Sequence, residues 1–310
     1  MQSQGEIKNA AVIGLGTMGP GIAATLARAG LKVCAFDADP GKCAKAPQAF
    51  AAAAAVLSAL TVADRTAAAI TVHSSLPECV ADADLVIETV PEDLDLKIQV
   101  FREIEAQVAD DCILASDTSG IPITRIQAGT RIPSRLIGMH WSNPPHIIPM
   151  IEVIAGEKTA PTVTAKLVEL IRRSGHLPII IRKDVPGFVE NRVLYAVLRE
   201  CIDLVEKGVI EPQDLDACVS WGIGYKLAVV GPMALLDMAG LDIYSAVGSY
   251  LNKELSNRAD VAGYIEERTS QRKLGIKSGS GIYDYTPAKI AELQSLRARK
   301  LVAVRKALQT

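Results

Sequence analysis

The stretch AVIGLGTMGPGIAATLARAG, residues 11–30, decides how the chain is read. A short apolar run ends at Ile13, glycines follow at 14, 16 and 19, and an alanine-rich helical pattern runs to Ala29. Strand, glycine loop and helix in this order suit the phosphates of a dinucleotide. Gly14 admits the tight turn, Gly16 lets the backbone approach a pyrophosphate, and Gly19 lets the helix pack close to its strand. Thr17 and Met18 complete the loop, where the first helical N–H groups face the ligand. The next apolar run, LKVCAF at 31–36, leads into Asp37, eighteen residues beyond Gly19. A carboxylate there accepts hydrogen bonds from the adenosine ribose and repels a 2′-phosphate, so NAD is expected over NADP. Asp39 is a rival two residues later. A glycine turn in a non-binding α/β domain is the alternative.

Working outward, further short strands are expected at Ala10–Ile13, Leu85–Glu88, Cys112–Ala115, Arg135–Met139, Ile151–Ile154 and Ile179–Ile181. Helical patterns separate most of them, over Gly19–Ala29, a long alanine-rich stretch at Ala46–Ala69, and Leu94–Val108. Such alternation predicts a parallel sheet covered on both faces. After KDVPGF (183–188) the strand signals stop. Apolar positions 189, 193, 194, 197, 198, 201, 202 and 205 then form one helical face, with Gly208 suited to end it. The fold class is therefore α/β, a Rossmann-type doubly wound sheet over 1–186 followed by an all-helical C-terminal domain over 187–310.

The composition narrows the partners. The 310 residues are 49% hydrophobic and 22% charged with net charge −2, so no basic excess points to nucleic acid. The first nine residues are polar and the longest apolar segment, Ala49–Leu60, is too short to span a bilayer. Six cysteines lie scattered without a CxxC pair, which fits reduced thiols in a cytoplasm and no metal site.

In a doubly wound sheet, ligands bind beyond the carboxyl ends of the strands. That rule selects 88–92, 116–119 and 140–143. His140 directly follows the strand LIGM, and Glu152 lies inside the apolar IPMIEVIAG. A glutamate among aliphatic residues needs a partner, and a histidine opposite would gain orientation and basicity from it.

At this point six motifs carry a resemblance: GLGTMG (14–19), ETVPEDLDLK (88–97), SDTSGIPIT (116–124), GMHWSNPP…PMIEVI (138–154), KDVPGFVENR (183–192) and GIKSGSGIYDY (275–285). In order and spacing the chain resembles the 3-hydroxyacyl-CoA dehydrogenase family from about residue 8 to 285. The resemblance implies an NAD-dependent oxidoreductase whose helical domain forms a homodimer. It implies His140 as catalytic base, Glu152 as its partner, and Ser119 and Asn191 as the groups holding the substrate oxygen. Glu92, Lys97 and Asn143 match positions near the nicotinamide. Each has a plainer reading: Ser119 as a helix cap, Asn191 as a partner for backbone near a helix end, Glu92 and Lys97 as a solvated pair.

The sequence departs from the family in three places. Members that bind CoA carry a lysine-rich hairpin after the second strand, whereas residues 46–72 here hold only Arg65, beside Asp64. The connection KLAVV (226–230) is longer than in the CoA enzymes and resembles relatives that oxidise free hydroxy acids. Asp117 replaces the usual asparagine. These changes favour a small anionic substrate, met by one cation such as Lys226 or Arg192, over an acyl-CoA thioester, which is the alternative.

Overall fold

A computed structural model describes residues 6–62 and 68–309. The chain divides into two compact units, the first running to Asn191 and the second from Arg192.

The first unit is built on eight strands: β1 (Asn9–Ile13), β2 (Lys32–Phe36), β3 (Ile70–Val72), β4 (Leu85–Glu88), β5 (Ile113–Ser116), β6 (Leu136–Trp141), β7 (Met150–Ala155) and β8 (Leu177–Ile181). They form one sheet in the order β3-β2-β1-β4-β5-β6-β7-β8. The first six are parallel in the order of a doubly wound dinucleotide fold. The all-parallel expectation fails at β7, which runs antiparallel to β6 and parallel to β8. The reason is the connection: β6 and β7 are joined by only the loop 142–149, too short for a parallel crossover.

Helices cover both faces: α1 (Gly19–Arg28), α2 (Pro40–Ala59), α3 (Leu76–Val80), α4 (Leu94–Glu105), α5 (Ile123–Gln127) and α6 (Pro161–Arg173). The central strands β1 and β4 to β7 are apolar along most of their length because both faces are sealed, whereas Leu177 and Ile180 of the edge strand β8 are exposed. Along β1, Ala10 and Val12 join one core with Ile22, Leu26, Leu85 and Ile87, while Ala11 and Ile13 join the other with Val86, Phe101 and Leu114. The alanine-rich helix differs from its expected span. Asp39 caps it, its carboxylate accepting from Gly41 N at 2.8 Å, and Pro40 opens it, so α2 starts before Ala46. It stops at Ala59, and β3 follows from Ile70 with β-branched residues that the alanine signal concealed. Arg65 and Asp64 lie outside the described residues.

Helix α7 (Glu190–Glu206) follows the PGF turn and ends before Gly208, whose φ is +69°. The second unit continues through α8 (Pro212–Val219), a π-turn at Ser220–Gly224, α9 (Tyr225–Leu227), α10 (Pro232–Ala239), α11 (Leu241–Leu251), α12 (Gly263–Ser270) and α13 (Pro287–Leu308). Among the described residues no single helix is long and apolar enough to cross a membrane. One pair bent by 85°, Pro212–Leu227 with Pro232–Ala239, passes by length and composition.

Candidate active site

The site grows from the carboxyl ends of β1, β4, β5 and β6. At β1 the glycine loop is tightly determined. Gly14 has φ +103°, a conformation that a side chain would strain, and its N–H donates to Phe36 O. A Cβ on Gly19 would sit 1.9 Å from Gly14 O, whereas nothing lies within 4 Å of one on Gly16. The loop is therefore closed on the strand side and open where a phosphate would approach. Thr17 and Met18 lead into α1, which carries Pro20 in its first turn. Asp37 Oδ2 accepts from Leu15 N at 2.7 Å and Oδ1 from Asp39 N at 2.8 Å, with Lys42 Nζ 3.3 Å away. Its carboxylate is thus aimed across the glycine loop, while that of Asp39 is occupied in capping α2. Open backbone, a helix N-terminus and an oriented acid make a donor and acceptor set that fits NAD.

The first turn of α1 also touches the far side of the site. A Cβ on Gly21 would meet Pro145 Cγ at 2.7 Å and His146 Nδ1 at 2.8 Å, so α1 lies directly against the β6–β7 loop.

His140 and Glu152 face each other across the antiparallel ladder, as direct register partners. Their side chains meet at 2.7 Å, Nδ1 to Oε2, and both are almost fully buried. With the carboxylate on Nδ1, that nitrogen carries the proton and Nε2 keeps its lone pair. Burial disfavours a charged ring, yet the bond to Glu152 and the charges of Asp117, Glu152 and Glu190 outweigh it, so the His140 pKa is raised. For Glu152 burial is again outweighed, here by His140 and two backbone amides, and its pKa is lowered. Those amides belong to Val189 and Glu190, at 3.0 and 3.1 Å from Oε1. They are aimed by the PGF turn, where Gly187 and Phe188 have φ of +76° and +48°. A buried phenylalanine in that region stores roughly 1–3 kcal/mol of strain. Its ring packs 5.9 Å from the His140 ring.

Ser119 lies on the 118–121 loop after β5. Glu92 organises that loop: its Oε1 accepts from Thr118 Oγ1 and from the amides of Ser119, Gly120 and Ile121 at 2.7–3.3 Å. Burial raises the Glu92 pKa less than these donors and Lys97 lower it, and the net direction is down. Lys97 is buried, not solvated, and its ammonium meets Glu88 at 2.7 Å, Val90 O at 3.2 Å and Glu92 at 3.5 Å. Asn191 donates from Nδ2 to Ser119 O at 2.7 Å, which joins the start of α7 to the Ser119 loop. Asn143 is exposed on the β6–β7 loop.

Three further residues neighbour the dyad: Ser142 and Asp117, both within the strand-rim stretches selected above, and Glu190, which the sequence reading passed over. Ser142 donates to Glu190 Oε1 at 2.6 Å. Asp117 is buried beside the dyad, accepts from Trp141 N at 2.8 Å, and burial pushes its pKa up to about 8. In shape its side chain is close to the asparagine that the family usually carries there. Polar atoms of His140, Glu152 and Glu190 lie within 4.8 Å of one another, a spacing that suits a cation. Both oxygens of Glu152 already hold hydrogen bonds, so an ion there would displace the dyad contact. The cysteines are free, and burial raises Cys112 to about 12, far from a reactive thiolate.

Residues 9–185 match the NAD binding domain of 3-hydroxyacyl-CoA dehydrogenase, and residues 187–285 match its C-terminal domain. The chain belongs to the 3-hydroxyacyl-CoA dehydrogenase family and is an NAD-dependent oxidoreductase. Within that class it is 60% identical to 5-formyl-3-hydroxy-2-methylpyridine 4-carboxylate 5-dehydrogenase of Mesorhizobium japonicum, over 98% of this chain and 99% of that protein. A solved structure of an enzyme of that name, described as an NAD+ dependent dismutase, superposes with a TM-score of 0.96. It is 59% identical and covers 98% of this chain and 99% of its own. The structure of (S)-3-hydroxybutyryl-CoA dehydrogenase from Ralstonia eutropha superposes with a TM-score of 0.72. It is 32% identical, with 91% and 100% of the two chains covered.

Proposed function

We propose that the chain oxidises 5-formyl-3-hydroxy-2-methylpyridine 4-carboxylate, a pyridine of the vitamin B6 type, from aldehyde to acid with NAD. The observation that carries this reading is end-to-end likeness to an enzyme of that name, at nearly twice the identity found for the Ralstonia acyl-CoA enzyme.

Gly14, Gly16, Thr17, Met18 and Gly19 hold the pyrophosphate at the head of α1, and Asp37 binds the adenosine ribose. Bound NAD supplies the hydride acceptor. His140 Nε2 removes the hydroxyl proton of the hydrated aldehyde, and Glu152 keeps the ring in the required tautomer and stabilises it once charged. Ser119 and Asn191 hold the reacting oxygen. Glu92 and Lys97 act by fixing the loop that presents Ser119, and Asn143 borders the nicotinamide. The enzyme works in the cytoplasm as a homodimer joined through its helical unit, where Trp221, Val229, Met233 and Met238 are each more than 70% exposed.

The test is direct: NADH formation from the pyridine aldehyde, set against reduction of acetoacetyl-CoA. We expect a kcat/KM for the aldehyde at least 10²-fold above that for the thioester, since two missing phosphate contacts weaken binding by roughly that factor. A reversed ratio would replace this reading with the acyl-CoA one. Sedimentation at micromolar concentration checks the dimer.

A further inference from the structure

Glu190 stands beside the dyad, and none of the steps above employs its side chain. Ser142 holds Oε1 at 2.6 Å, and the Glu190 amide is anchored on Glu152 at 3.1 Å. The other oxygen, Oε2, is buried and has no hydrogen-bond partner among the described residues. A buried carboxylate oxygen without a donor is costly, so this one marks a place for a donor that arrives with the reactants.

Stoichiometry identifies that donor. Oxidation of an alcohol releases one hydride and one proton. An aldehyde and a water together release one hydride and two protons, so the dyad alone is one acceptor short. We propose that Glu190 is the second proton acceptor, taking a proton from the water that attacks the formyl carbon. This rests on the aldehyde reading given above. The water oxygen bonds to the formyl carbon, its proton passes to Glu190 Oε2, and the carbonyl π pair moves onto the former carbonyl oxygen. The resulting hydrate anion gives up its C–H pair as hydride and re-forms a C=O bond. Its remaining hydroxyl proton passes to His140 Nε2, which leaves the carboxylate.

Glu190→Gln keeps an acceptor for Ser142 and removes the base. Three readings separate the possibilities: NAD-driven oxidation, NADH-driven reduction of the same aldehyde to its alcohol, and ¹⁸O exchange from labelled water into the aldehyde without cofactor. Only the first and third involve water. We expect both to fall by about 10²-fold, the usual worth of a positioned base. Reduction should fall at least tenfold less. Glu190→Asp should recover part of the exchange, and melting temperatures check that both variants fold. Equal losses in oxidation and reduction, or wild-type exchange in Glu190→Gln, overturn the role of Glu190 and leave the substrate standing. A wild-type protein inert towards the aldehyde in both directions, yet active on acetoacetyl-CoA, removes the substrate reading and this proposal with it.

Discussion

The two units solve the same problem in opposite ways. In the first, eight strands and their helices enclose two apolar cores in which Ile87, Leu114 and Phe101 are wholly buried. In the second, α8 to α12 contain no buried residue, and Trp221, Val229, Met233 and Met238 are each more than 70% exposed. Both stretches are apolar in sequence; what differs is whether the chain can fold back on itself. A sheet offers two faces to local helices, while short helices in succession offer their apolar sides outward. His140, Glu152, Ser119, Glu190 and Asn191 all lie in the self-sufficient unit. Under the function and the dimer proposed above, the contrast separates chemistry from assembly, and each can be broken alone.

The largest effect should come from His140→Ala, which we expect to lower turnover by roughly 10²–10⁴-fold. NAD affinity, read by fluorescence titration, and the sedimentation coefficient should hold, because the glycine loop and the helical unit are untouched. Wild-type turnover in the folded variant removes the base. Next stands a matched pair of truncations. Ile87→Ala should cost about 2–5 kcal/mol in urea unfolding at any protein concentration, as cavities in sealed cores do. On the dimer proposed above, Val229→Ala should cost less, and its cost should shrink as the protein is diluted, because it would act through association. Equal costs, independent of concentration, would erase the distinction between the units.

Asp37→Ser tests the cofactor cradle. With the acid gone and Lys42 left beside the ribose position, the NAD to NADP preference in kcat/KM should fall by at least about tenfold, one charge-assisted contact. An unchanged ratio rules Asp37 out as the selector. The smallest effect concerns pH. In the proposed mechanism His140 is a base when neutral, so kcat for oxidation should rise with pH through its pKa, which lies above the ordinary value. Glu152→Gln deletes the partner that does most to raise it, so burial, which lowers it, is opposed only by Asp117 and Glu190. The rising limb should therefore move to lower pH. A shift to higher pH contradicts the dyad.

Much of the fold was legible because periodicity is local. The glycine loop, seven of the strands and α7 follow from short apolar runs and their punctuation. The antiparallel β7 was not, since strand direction depends on loop length against sheet geometry. Neither was β3, three residues long beside an alanine run. In the site, His140 and Glu152 stood out as polar residues among apolar ones. Glu190 did not, because an acid in the first turn of a helix reads as an ordinary complement to the helix dipole. The plainer reading of Lys97 as half of a solvated pair fails for the converse reason: a lysine in a charged stretch looks solvated until Glu88 is seen beneath it.

The close approach of Gly21 to Pro145 and His146 has a consequence for descent. Position 21 belongs to the cofactor helix and 144–146 to the loop between the dyad strands, yet no side chain fits at one unless the other retreats. The two segments must therefore drift as a pair. A lineage that keeps Pro145 and His146 in place must keep glycine at 21, while one that admits alanine at 21 has first to move both. Libraries that diversify the loop alone will explore only those variants the small residue permits, and randomising both together opens the rest.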